Sequence, residues 1–573
     1  MPLVGTQCGV RMHDLVIRGG SVVDGSGRPA RTADVAIDHG RIAAVGDDVG
    51  AGRRELSADG LLVTPGWVDI HCHYDGQSLW DPLLETSAAH GVTTVVMGNC
   101  GVGFAPVKSQ DRAWTVALME GVEDIPAVVL DEGLSWQWES FPEYLDALDA
   151  SSHAIGIAAQ VPHAPLRVFA MGERGIDHSE VPTDDQIALM GRLAAESIEA
   201  GALGFSTSRS RNHKASDGRI TPSFSAGDAE LLGIADAIGR TGKGVFEINV
   251  ENTDIEDELR LMRRICEVSG RPLSAALLQR GGQPHDNYRR VLDGFAQAAH
   301  DGLALWGQVA PRPTGLLMSA HGRVNPLAGS PTFQTVVRRN RADLLAELLR
   351  PEVKEKILSE LHGEADLMAR FPRAFELSDP PRYDQRPSEA LAGRAAAAGV
   401  PVIDLAYDIV AAGGIVYVPI SNYVDGDLRA AHEMLVHPRT VPGLSDGGAH
   451  CTMIADFDYP TFLLGYWGRD APADLRLPVE SVVKQQCADT AALVGLHDRG
   501  VLAAGKRADV NLIALSEVGS TFPTIVDDLP GGGSRLLSRG TGYVTTIVAG
   551  EVAFEGGTHN GTMAGALARG GRL

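Results

Sequence analysis

The segment LLVTPGWVDIHCHYD, residues 61–75, gives the strongest indication of the fold. It is an apolar run that ends in two histidines, His71 and His73, with one residue between them. Residues two apart on a strand point to the same face, so both imidazoles can reach a single ion. Asp69 and Asp75 flank the pair and could orient an imidazole through its second nitrogen. The stretch therefore predicts a strand that carries a metal site at its end; two packed histidines without a metal are the alternative.

The residues before this stretch have the texture of small β-structure. Short apolar runs separated by turns occur in HDLVIRGGSVVDGSG (13–27). The same texture returns near the other end of the chain, in GYVTTIVAGEVAFEGG (542–557). Chain ends tend to lie close together, so strands from both ends can share one domain. We predict a composite β-sandwich built from residues 12–66 and 496–573.

Between these ends the pattern changes to strands that alternate with amphipathic helices. Strands are predicted at residues 91–98, 153–161, 201–208, 244–250, 272–279 and 303–310. Such alternation predicts a parallel sheet, either doubly wound or closed. No glycine-rich dinucleotide fingerprint follows the first strand, which favours the closed form. We therefore predict an α/β protein with a TIM-like (β/α)₈ barrel over residues 67–495.

The segment 311–410 does not follow the alternation. It is rich in Arg, Pro, Glu and Leu, and it contains PEVKEKILSELHGEADLMARF (351–371), which is typical of a surface helix. We interpret the segment as an insertion over the barrel mouth, where loops carry function.

Two further strand ends supply candidate metal ligands. In VPGLSDGGAH (441–450) a short strand ends in Asp446, and the glycine pair that follows lets backbone approach closely. A carboxylate there completes a set of three ligands and leaves positions open for water and substrate. In GVTTVVMGNCGVGFAPV (91–107), Cys100 stands in a glycine-flanked turn, and a thiolate is a good zinc ligand. The alternatives are an ordinary Asp-Gly turn and a buried inert cysteine.

Polar side chains on three loops are candidates for substrate contact. STSRSRNHKASDG (206–218) follows the predicted fourth strand, where His213 could donate to the reacting carbonyl and Arg209 could bind a carboxylate. Arg312 lies between two prolines after the seventh strand, and rigid backbone around one arginine suits anion binding. Asn422, in YVPISNY, could line the same pocket. The alternative is that these side chains belong to solvated surface loops.

Composition and charge narrow the function classes. The chain has 573 residues, 44% of them hydrophobic, and a net charge of −23. A nucleic-acid partner needs clustered Lys and Arg, so this balance argues against one. No apolar run reaches the ~18 residues of a membrane span, and the first residues, MPLVGTQCGVRMHD, lack the apolar core of a signal peptide. Six scattered cysteines without a CxxC pair are typical of reduced thiols, so we expect a cytoplasmic protein.

At these motifs the sequence resembles the amidohydrolase superfamily, within it the N-acyl-D-amino-acid deacylase (D-aminoacylase) branch and the large amidohydrolase family 3 group. The resemblance runs from DLVIRGGSVVDGSG through PGWVDIHCH, GVTTVVMGNCG, GLSDGGAH and GKRADVNLI to the closing strands. It implies a (β/α)₈ barrel with a small β-sandwich. It also implies that His71, His73 and Cys100 are metal ligands, and that Asp446 is both a ligand and the general base.

The sequence departs from this branch at two barrel strands. The branch carries further metal histidines at the ends of strands five and six, where GVFEINVEN and PLSAALLQRGG here place Asn249 and Leu277 or Leu278. Glu247, on the same strand face as Asn249, could substitute. Gln279 stands near the position of a lysine that grips the substrate carboxylate in the branch. We therefore predict one zinc ion per chain, with another divalent metal as the alternative, and include Glu247 and Gln279 among the candidate substrate contacts.

Together these inferences predict a metal-dependent hydrolase that cleaves the carbon–nitrogen bond of a linear amide, with an N-acyl (D-)amino acid as the leading substrate. A metal-activated water would attack, and Asp446 would carry its proton to the departing amine. His213 or backbone N–H groups would stabilise the oxyanion. Two alternatives stay open: lactam, imide or ester hydrolysis or a dehydration at the same site, and a non-catalytic relative. The expected partner is a small-molecule amide, without nucleic acid or membrane, and a homo-oligomer is compatible with the sequence.

Overall fold

The computed structural model of the chain describes residues 12–281, 284, 286–363 and 367–570, so Cys8 lies outside the described residues. The α-helices are Glu85–Ala88, Arg112–Glu123, Ala127–Gly133, Phe141–Asp149, His163–Met171, Asp184–Ala200, Asp228–Arg240, Ile255–Ser269, Asn287–His300, Pro331–Val336, Arg341–Leu348, Pro351–Leu361, Leu391–Ala398, Val402–Ala411, Arg429–Leu435, Tyr459–Phe462, Val479–Lys484 and Thr490–Leu493. Two segments are π-helical, Leu463–Asp470 and Gln485–Asp489.

Eight parallel strands, which neighbour one another in chain order, form the barrel sheet. They are Trp67–Asp69, Val92–Met97, Gly156–Pro162, Gly204–Ser208, Val245–Asn249, Leu273–Leu277, Leu305–Val309 and Thr440–Pro442. Every residue of the second and third of these strands is buried, because helices cover the outer face and side chains fill the interior. The predicted (β/α)₈ barrel is confirmed, and each predicted strand overlaps an observed one.

The first and last barrel strands meet at the two motifs that predicted metal ligands. The His73 N–H donates to the Gly447 carbonyl at 2.8 Å, and the Asp446 N–H donates to the His71 carbonyl at 3.1 Å. A Cβ on Gly447 would lie 2.6 Å from Ser87 Oγ and 2.9 Å from the Tyr74 hydroxyl, so a side chain there would displace these two buried side chains. The backbone contacts that join the barrel therefore also bring the histidines and the aspartate together.

A nine-stranded sheet combines both ends of the chain. Its strands are His13–Val22, Arg31–Asp38, Arg41–Gly46, Gly52–Ser57, Leu62–Pro65, Val510–Ile513, Tyr543–Val548, Glu551–Glu555 and Thr558–His559. The two halves join where Leu62–Pro65 pairs antiparallel with Val510–Ile513. The Trp67 indole N–H donates to the Tyr543 hydroxyl at 3.0 Å, which ties this sheet to the first barrel strand. The predicted β-domain from both chain ends is confirmed.

Part of the C-terminal segment leaves this sheet. The hairpin formed by Thr524–Leu529 and Gly533–Leu537 makes a separate two-stranded sheet. The Leu536 N–H donates to the Cys451 carbonyl at 2.6 Å, so the hairpin lies against the loop after the eighth barrel strand. The sequence had placed all of residues 496–573 in the β-domain, whereas this hairpin lies outside the nine-stranded sheet.

Deleting residues 540–573 is expected to cause aggregation and a lower melting temperature. The deletion removes the strands from Tyr543 to His559 and exposes the edge of Val510–Ile513, rather than an edge of the N-terminal strands. Unpaired strand edges promote association between chains. Light scattering and a thermal melt of the truncated protein test this. A truncated chain that stays monodisperse with an unchanged transition would contradict the shared sheet.

The insertion between the seventh and eighth barrel strands has a hydrophobic core of its own. Strands Gly315–Met318, Phe375–Glu376 and Val416–Pro419 form its three-stranded sheet. The helix predicted over 351–371 ends at Leu361. Gly363 has a φ of +95°, a left-handed conformation that cannot continue a right-handed helix.

The structure bears on two expectations drawn from the composition, the reduced state of the cysteines and the lack of a membrane-spanning segment. The cysteines described there, Cys72, Cys100, Cys266, Cys451 and Cys487, are all buried and free of disulfides. Among the described residues, no helix is both long enough and apolar enough to cross a membrane.

Candidate metal centre and active site

Four predicted ligands meet at the carboxyl ends of the first, second and eighth barrel strands. His71 Nε2 lies 3.4 Å, and His73 Nε2 3.6 Å, from Asp446 Oδ1. Cys100 Sγ lies 3.5 Å from His71 Nε2. One ligand atom from each of His71, His73 and Cys100 lies within 4.8 Å of the others. Two imidazoles, a carboxylate and a thiol that converge in this way form a donor set suited to a zinc-type ion.

The other ring nitrogens of the two histidines face protein acceptors. His71 Nδ1 lies 2.8 Å from Gln308 Oε1. Gln308 in turn donates through Nε2 to Ser274 Oγ at 2.9 Å, which turns its oxygen towards the imidazole. His73 Nδ1 lies 3.3 Å from Glu123 Oε1, but it is buried and makes no hydrogen bond among the described residues. A proton held on Nδ1 leaves the Nε2 lone pair for a metal, so the contact of His71 with Gln308 fits metal binding, and Glu123 is the nearby acid that could take the same part for His73.

Asp69 and Asp75, predicted to orient these rings, do not do so. Asp69 accepts from the Ser445 hydroxyl at 2.5 Å and from the His71 backbone N–H at 3.2 Å. Asp75 Oδ2 is buried and has no hydrogen-bond partner among the described residues. The side chains that lie next to the Nδ1 atoms instead are those of Gln308 and Glu123. Both residues are far from the histidines in the sequence, and no local pattern predicts these contacts.

Burial decides the protonation of the histidines. It lowers the pKa of His71 to about 4 and the pKa of His73 to about 3. Both rings are therefore neutral near pH 7, which is the form that binds metal. Burial raises the pKa of Asp446, while the His71 and His450 imidazoles oppose that shift. A bound cation would further favour the ionised carboxylate.

The two oxygens of the Asp446 carboxylate face different groups. Oδ1 faces the two metal histidines, and Oδ2 lies 4.0 Å from His450 Nε2. The side chain keeps 22% of its surface exposed, unlike the almost fully buried His71 and His73. A carboxylate that touches the ligand set and also reaches solvent can exchange protons with a substrate.

Glu247 and Asn249, on the fifth barrel strand, hold the Cys100 turn. Glu247 Oε2 accepts the Cys100 backbone N–H at 2.9 Å, and Asn249 Nδ2 lies 3.7 Å from Cys100 Sγ. Cys100 itself has a φ of +55°, so its backbone needs such support. Burial raises the pKa of Glu247 to about 8. Glu247 is 1% exposed, so its observed contact is with the cysteine turn and not with a surface open to substrate.

His213, predicted to donate to the reacting carbonyl, lies near the metal histidines. Its Nδ1 is 2.9 Å from Ser208 Oγ, and its Nε2 is 3.4 Å from Asn249 Nδ2. Burial lowers the pKa of His213 to about 3, and the neighbouring charges of His73 and His450 add to this effect. Asn249 Nδ2 is a donor, so Nε2 accepts in this contact. To donate to a substrate carbonyl, the ring would need the tautomer protonated on Nε2, with the Ser208 hydroxyl donating to Nδ1, and the carbonyl would have to take the place of the Asn249 amide.

Arg312, predicted to bind a substrate carboxylate, is an internal ion-pair residue. Its guanidinium donates to Asp456 at 2.9 Å, to Asp458 at 2.7 and 3.1 Å, and to two backbone carbonyls at 3.0 Å. Arg312 is 1% exposed. Because its N–H groups are committed to protein acceptors, none remains for a substrate, and these contacts contradict the predicted clamp.

Asn422 and Gln279 also bind the protein's own backbone. Asn422 accepts the Gln279 backbone N–H at 2.8 Å and donates to the Ala310 carbonyl at 3.1 Å. Gln279 donates to the Arg280 carbonyl at 3.4 Å, and its side-chain oxygen has no partner among the described residues. Asn422 therefore joins the insertion to the ends of the sixth and seventh strands, and its observed contacts offer nothing to a substrate.

Of the two arginines in this region, only Arg280 lies near the metal centre, whereas the Arg209 charge acts on Asp228 and Glu258, so the carboxylate clamp predicted at Arg209 is not seen. Arg209, half-buried, begins the loop after the fourth strand, and its backbone N–H donates to the Asn249 carbonyl at 2.8 Å. Arg280, one residue beyond Gln279, lies close enough to His213 to lower its pKa. Arg280 Nε is buried without a partner among the described residues, and NH2 donates to the Val250 carbonyl at 3.3 Å. Sequence reasoning missed Arg280, although it stands beside the glutamine that had been singled out.

Comparison with known proteins matches residues 54–554 to the Amidohydrolase family. The chain is 39% identical over 195 residues to a D-aminoacylase of Alcaligenes xylosoxydans xylosoxydans and 40% identical over 195 residues to an N-acyl-D-glutamate deacylase of the same organism. Each match covers 34% of this chain and 37% of the relative, so the aligned part spans little more than a third of those proteins.

Solved structures share the fold over almost the whole chain. A D-aminoacylase mutant in complex with copper chloride superposes with a TM-score of 0.65 at 24% identity, over 97% of this chain and 100% of that one. An N-acyl-D-glutamate deacylase of Bordetella bronchiseptica, in complex with zinc and a phosphonate inhibitor, gives a TM-score of 0.65 at 24% identity, over 98% and 100%.

The barrel, the β-domain and the ligand cluster together define an α/β barrel protein with a candidate metal centre at the carboxyl ends of its strands. Since the family match extends over most of its length, the chain belongs to the Amidohydrolase family.

Proposed function

We propose that this chain is a metal-dependent deacylase that hydrolyses the linear amide of an N-acyl-D-amino acid with one zinc ion. The observation that carries the proposal is the convergence of both histidine Nε2 atoms on Asp446 Oδ1, 3.4 and 3.6 Å away, beside Cys100. This cluster lies at the carboxyl ends of the barrel strands, where active sites of such barrels are found.

The ion would supply Lewis-acid polarisation of the substrate carbonyl and would acidify a coordinated water. Asp446 takes the proton of the attacking water and delivers it to the amine nitrogen as the carbon–nitrogen bond breaks. General acid–base catalysis of this kind contributes about 10²–10⁴ in rate. His213, freed from Asn249 by the substrate, stabilises the oxyanion, as hydrogen-bond donors worth about 3–4 kcal/mol do in other enzymes.

Arg280 is the proposed anchor for the substrate carboxylate. It lies near His213, and its Nε has no partner among the described residues. Its ion pair with Glu251 is long, 3.8 Å between NH1 and Oε2. A guanidinium with an uncommitted N–H beside the reacting centre can bind a carboxylate, which is the feature that separates an N-acyl amino acid from a neutral amide.

The relatives support this substrate class. The curated D-aminoacylase and N-acyl-D-glutamate deacylase share 39% and 40% of the aligned residues with this chain. A solved D-aminoacylase is described as having a binuclear metal centre with one-metal activation and second-metal attenuation. The Asn249 and Leu277 found here favour the one-metal form, because an aliphatic side chain cannot coordinate and an amide is a weaker zinc ligand than imidazole or thiolate.

A panel of N-acetyl-D- and N-acetyl-L-amino acids, followed by amine release, tests the proposal. We expect turnover of D substrates, and a raised KM with little change in kcat for Arg280→Met, because the carboxylate contact is made in both ground and transition states. A neutral N-acetyl-D-amino acid amide serves as the control and should not distinguish the two proteins. Equal KM values of wild type and Arg280→Met for the N-acetyl-D-amino acids would contradict the role of Arg280.

A second candidate rests on the same departure at strands five and six. Asn249 and Leu277 stand where the resembled branch carries metal histidines, and Gln279 stands near the position of its substrate-gripping lysine, so the site departs from the deacylase pattern. Lactams, imides and esters therefore belong in the same panel, and turnover of those alone would favour this candidate. A small-molecule substrate, a cytoplasmic location and the absence of nucleic-acid and membrane partners stay predictions, and the oligomeric state stays open.

A further inference from the structure

Glu123 is a buried acid that the proposed mechanism does not use. It is the last residue of helix Arg112–Glu123, which follows the Cys100 turn. Unlike His71 and His73, Glu123 therefore comes from a helix and not from the end of a barrel strand. The side chain is 2% exposed, and its Oε1 lies 3.3 Å from His73 Nδ1. An acid is costly to bury, so its position behind a metal-binding histidine requires an explanation.

A backbone hydrogen bond fixes the position of Glu123 at the end of its helix. The Glu123 carbonyl accepts the His450 N–H at 2.5 Å, which joins the helix end to the loop that carries Asp446. Asp124 follows with a φ of +55° and ends the helix. Its carboxylate accepts from Arg323 at 2.6 Å, so it anchors the helix end to the insertion instead of to the metal centre. The two acids are adjacent in sequence, but only Glu123 faces a histidine.

The two metal histidines are held differently. His71 Nδ1 faces the amide oxygen of Gln308 at 2.8 Å, whereas His73 Nδ1 faces a carboxylate. His73 Nε2 points the other way, to Asp446 Oδ1 at 3.6 Å. The His73 ring therefore has the Glu123 carboxyl group on its Nδ1 side and the candidate metal position on its Nε2 side.

We propose that Glu123 is a positioning residue of the metal centre. His73 Nδ1 is buried without a hydrogen-bond partner among the described residues, and Glu123 Oε1 is 3.3 Å away. When the ion binds, Glu123 accepts the Nδ1 proton, fixes the ring of His73 and makes Nε2 a stronger donor to the ion, so that a helix on the outside of the barrel contributes to metal affinity. Carboxylates behind metal-bound histidines do this in other proteins, and their loss typically weakens metal binding 10–100-fold. The inference rests on the proposed metal site but on no particular substrate.

Zinc affinity of the full-length protein tests this role. Wild type, Glu123→Gln and Asp124→Asn are stripped with a chelator, and the zinc dissociation constant is measured by competition with a chelating dye. We expect Glu123→Gln to weaken zinc binding about 10–100-fold and Asp124→Asn to leave it unchanged. The difference in melting temperature between zinc-loaded and stripped protein should shrink only in Glu123→Gln. The absorption spectrum of the cobalt-loaded protein should change in the same variant, because an amide oxygen behind Nδ1 makes Nε2 a weaker donor than a carboxylate does.

Equal zinc affinity in Glu123→Gln and wild type would overturn the inference and leave the proposed function standing. Equal weakening in Glu123→Gln and Asp124→Asn would also overturn it, since the helix end would then matter and not the contact with His73. If Glu123→Gln does not fold, Glu123→Asp carries the same test, because its shorter carboxylate keeps the charge but falls short of Nδ1. A wild-type protein that binds no zinc would overturn the proposed function together with this inference.

Discussion

Replacing Asp446 by Asn should remove most of the turnover, by at least the factor of about 10²–10⁴ that general acid–base catalysis contributes. An amide cannot accept the water proton, and it is a poorer ligand beside the two histidine Nε2 atoms at 3.4 and 3.6 Å. The fold should survive, because Asp446 has a φ of +50° and asparagine is among the few residues that tolerate this region.

Steady-state kinetics on whichever substrate the parent accepts, together with circular dichroism, would measure the effect. Asp124→Asn makes the same chemical change at a buried acid that binds Arg323, and it should keep its activity. Near-normal turnover in Asp446→Asn would remove this residue from the mechanism.

Metal analysis of freshly purified, unsupplemented protein is expected to give about one equivalent of zinc per chain. Three protein ligands suffice for a catalytic site with an open position, and His71, His73 and Asp446 provide them, with Cys100 adjacent. Replacing both histidines by Asn should abolish tight binding and with it the activity.

His90→Asn is a matched control for that double replacement. His90 is also buried, but its ring contacts Thr461 Oγ1 at 2.8 Å and the Ser538 carbonyl at 3.2 Å. This variant should retain its zinc. Two equivalents, both needed for activity, would show that strands five and six hold a second ion in spite of Asn249 and Leu277.

Much of the fold could be predicted from local patterns. Barrel strands such as Val92–Met97 are buried on both faces and therefore appear as continuous apolar runs. Both chain ends alternate apolar and polar residues between turns, and the structure joins them in one sheet. The helix predicted to 371 was too long, because its apolar spacing continues past Gly363, whose backbone cannot.

The ligands were predictable for a similar reason. His71 and His73 are two apart on one strand, and Asp446 and Cys100 lie beside glycines that mark turns at strand ends. In parallel barrels the carboxyl ends of all strands meet at one face, so residues at those ends converge. Their meeting follows from their local positions once the barrel is known.

The substrate contacts were not predictable in this way. Arg312 looked free in the sequence, but its partners Asp456 and Asp458 follow it by 144 and 146 residues. Asn422 looked like a pocket residue, but the backbone of Gln279, 143 residues earlier, uses its amide. A polar side chain is available to a substrate only when it is not already hydrogen-bonded to another group of the protein. For Arg312 and Asn422, those groups lie in distant parts of the chain.

Local patterns in the sequence were enough to predict the barrel, the terminal sheet and the four candidate ligands, because strand alternation, turn residues and the spacing of the ligands are all visible within short segments. The groups behind those ligands could be identified only from the folded chain. Gln308 reaches His71 from the seventh strand, and Glu123 reaches His73 from a helix outside the barrel strands. Such contacts depend on how side chains fill the space between packed elements, and packing is a property of the whole chain.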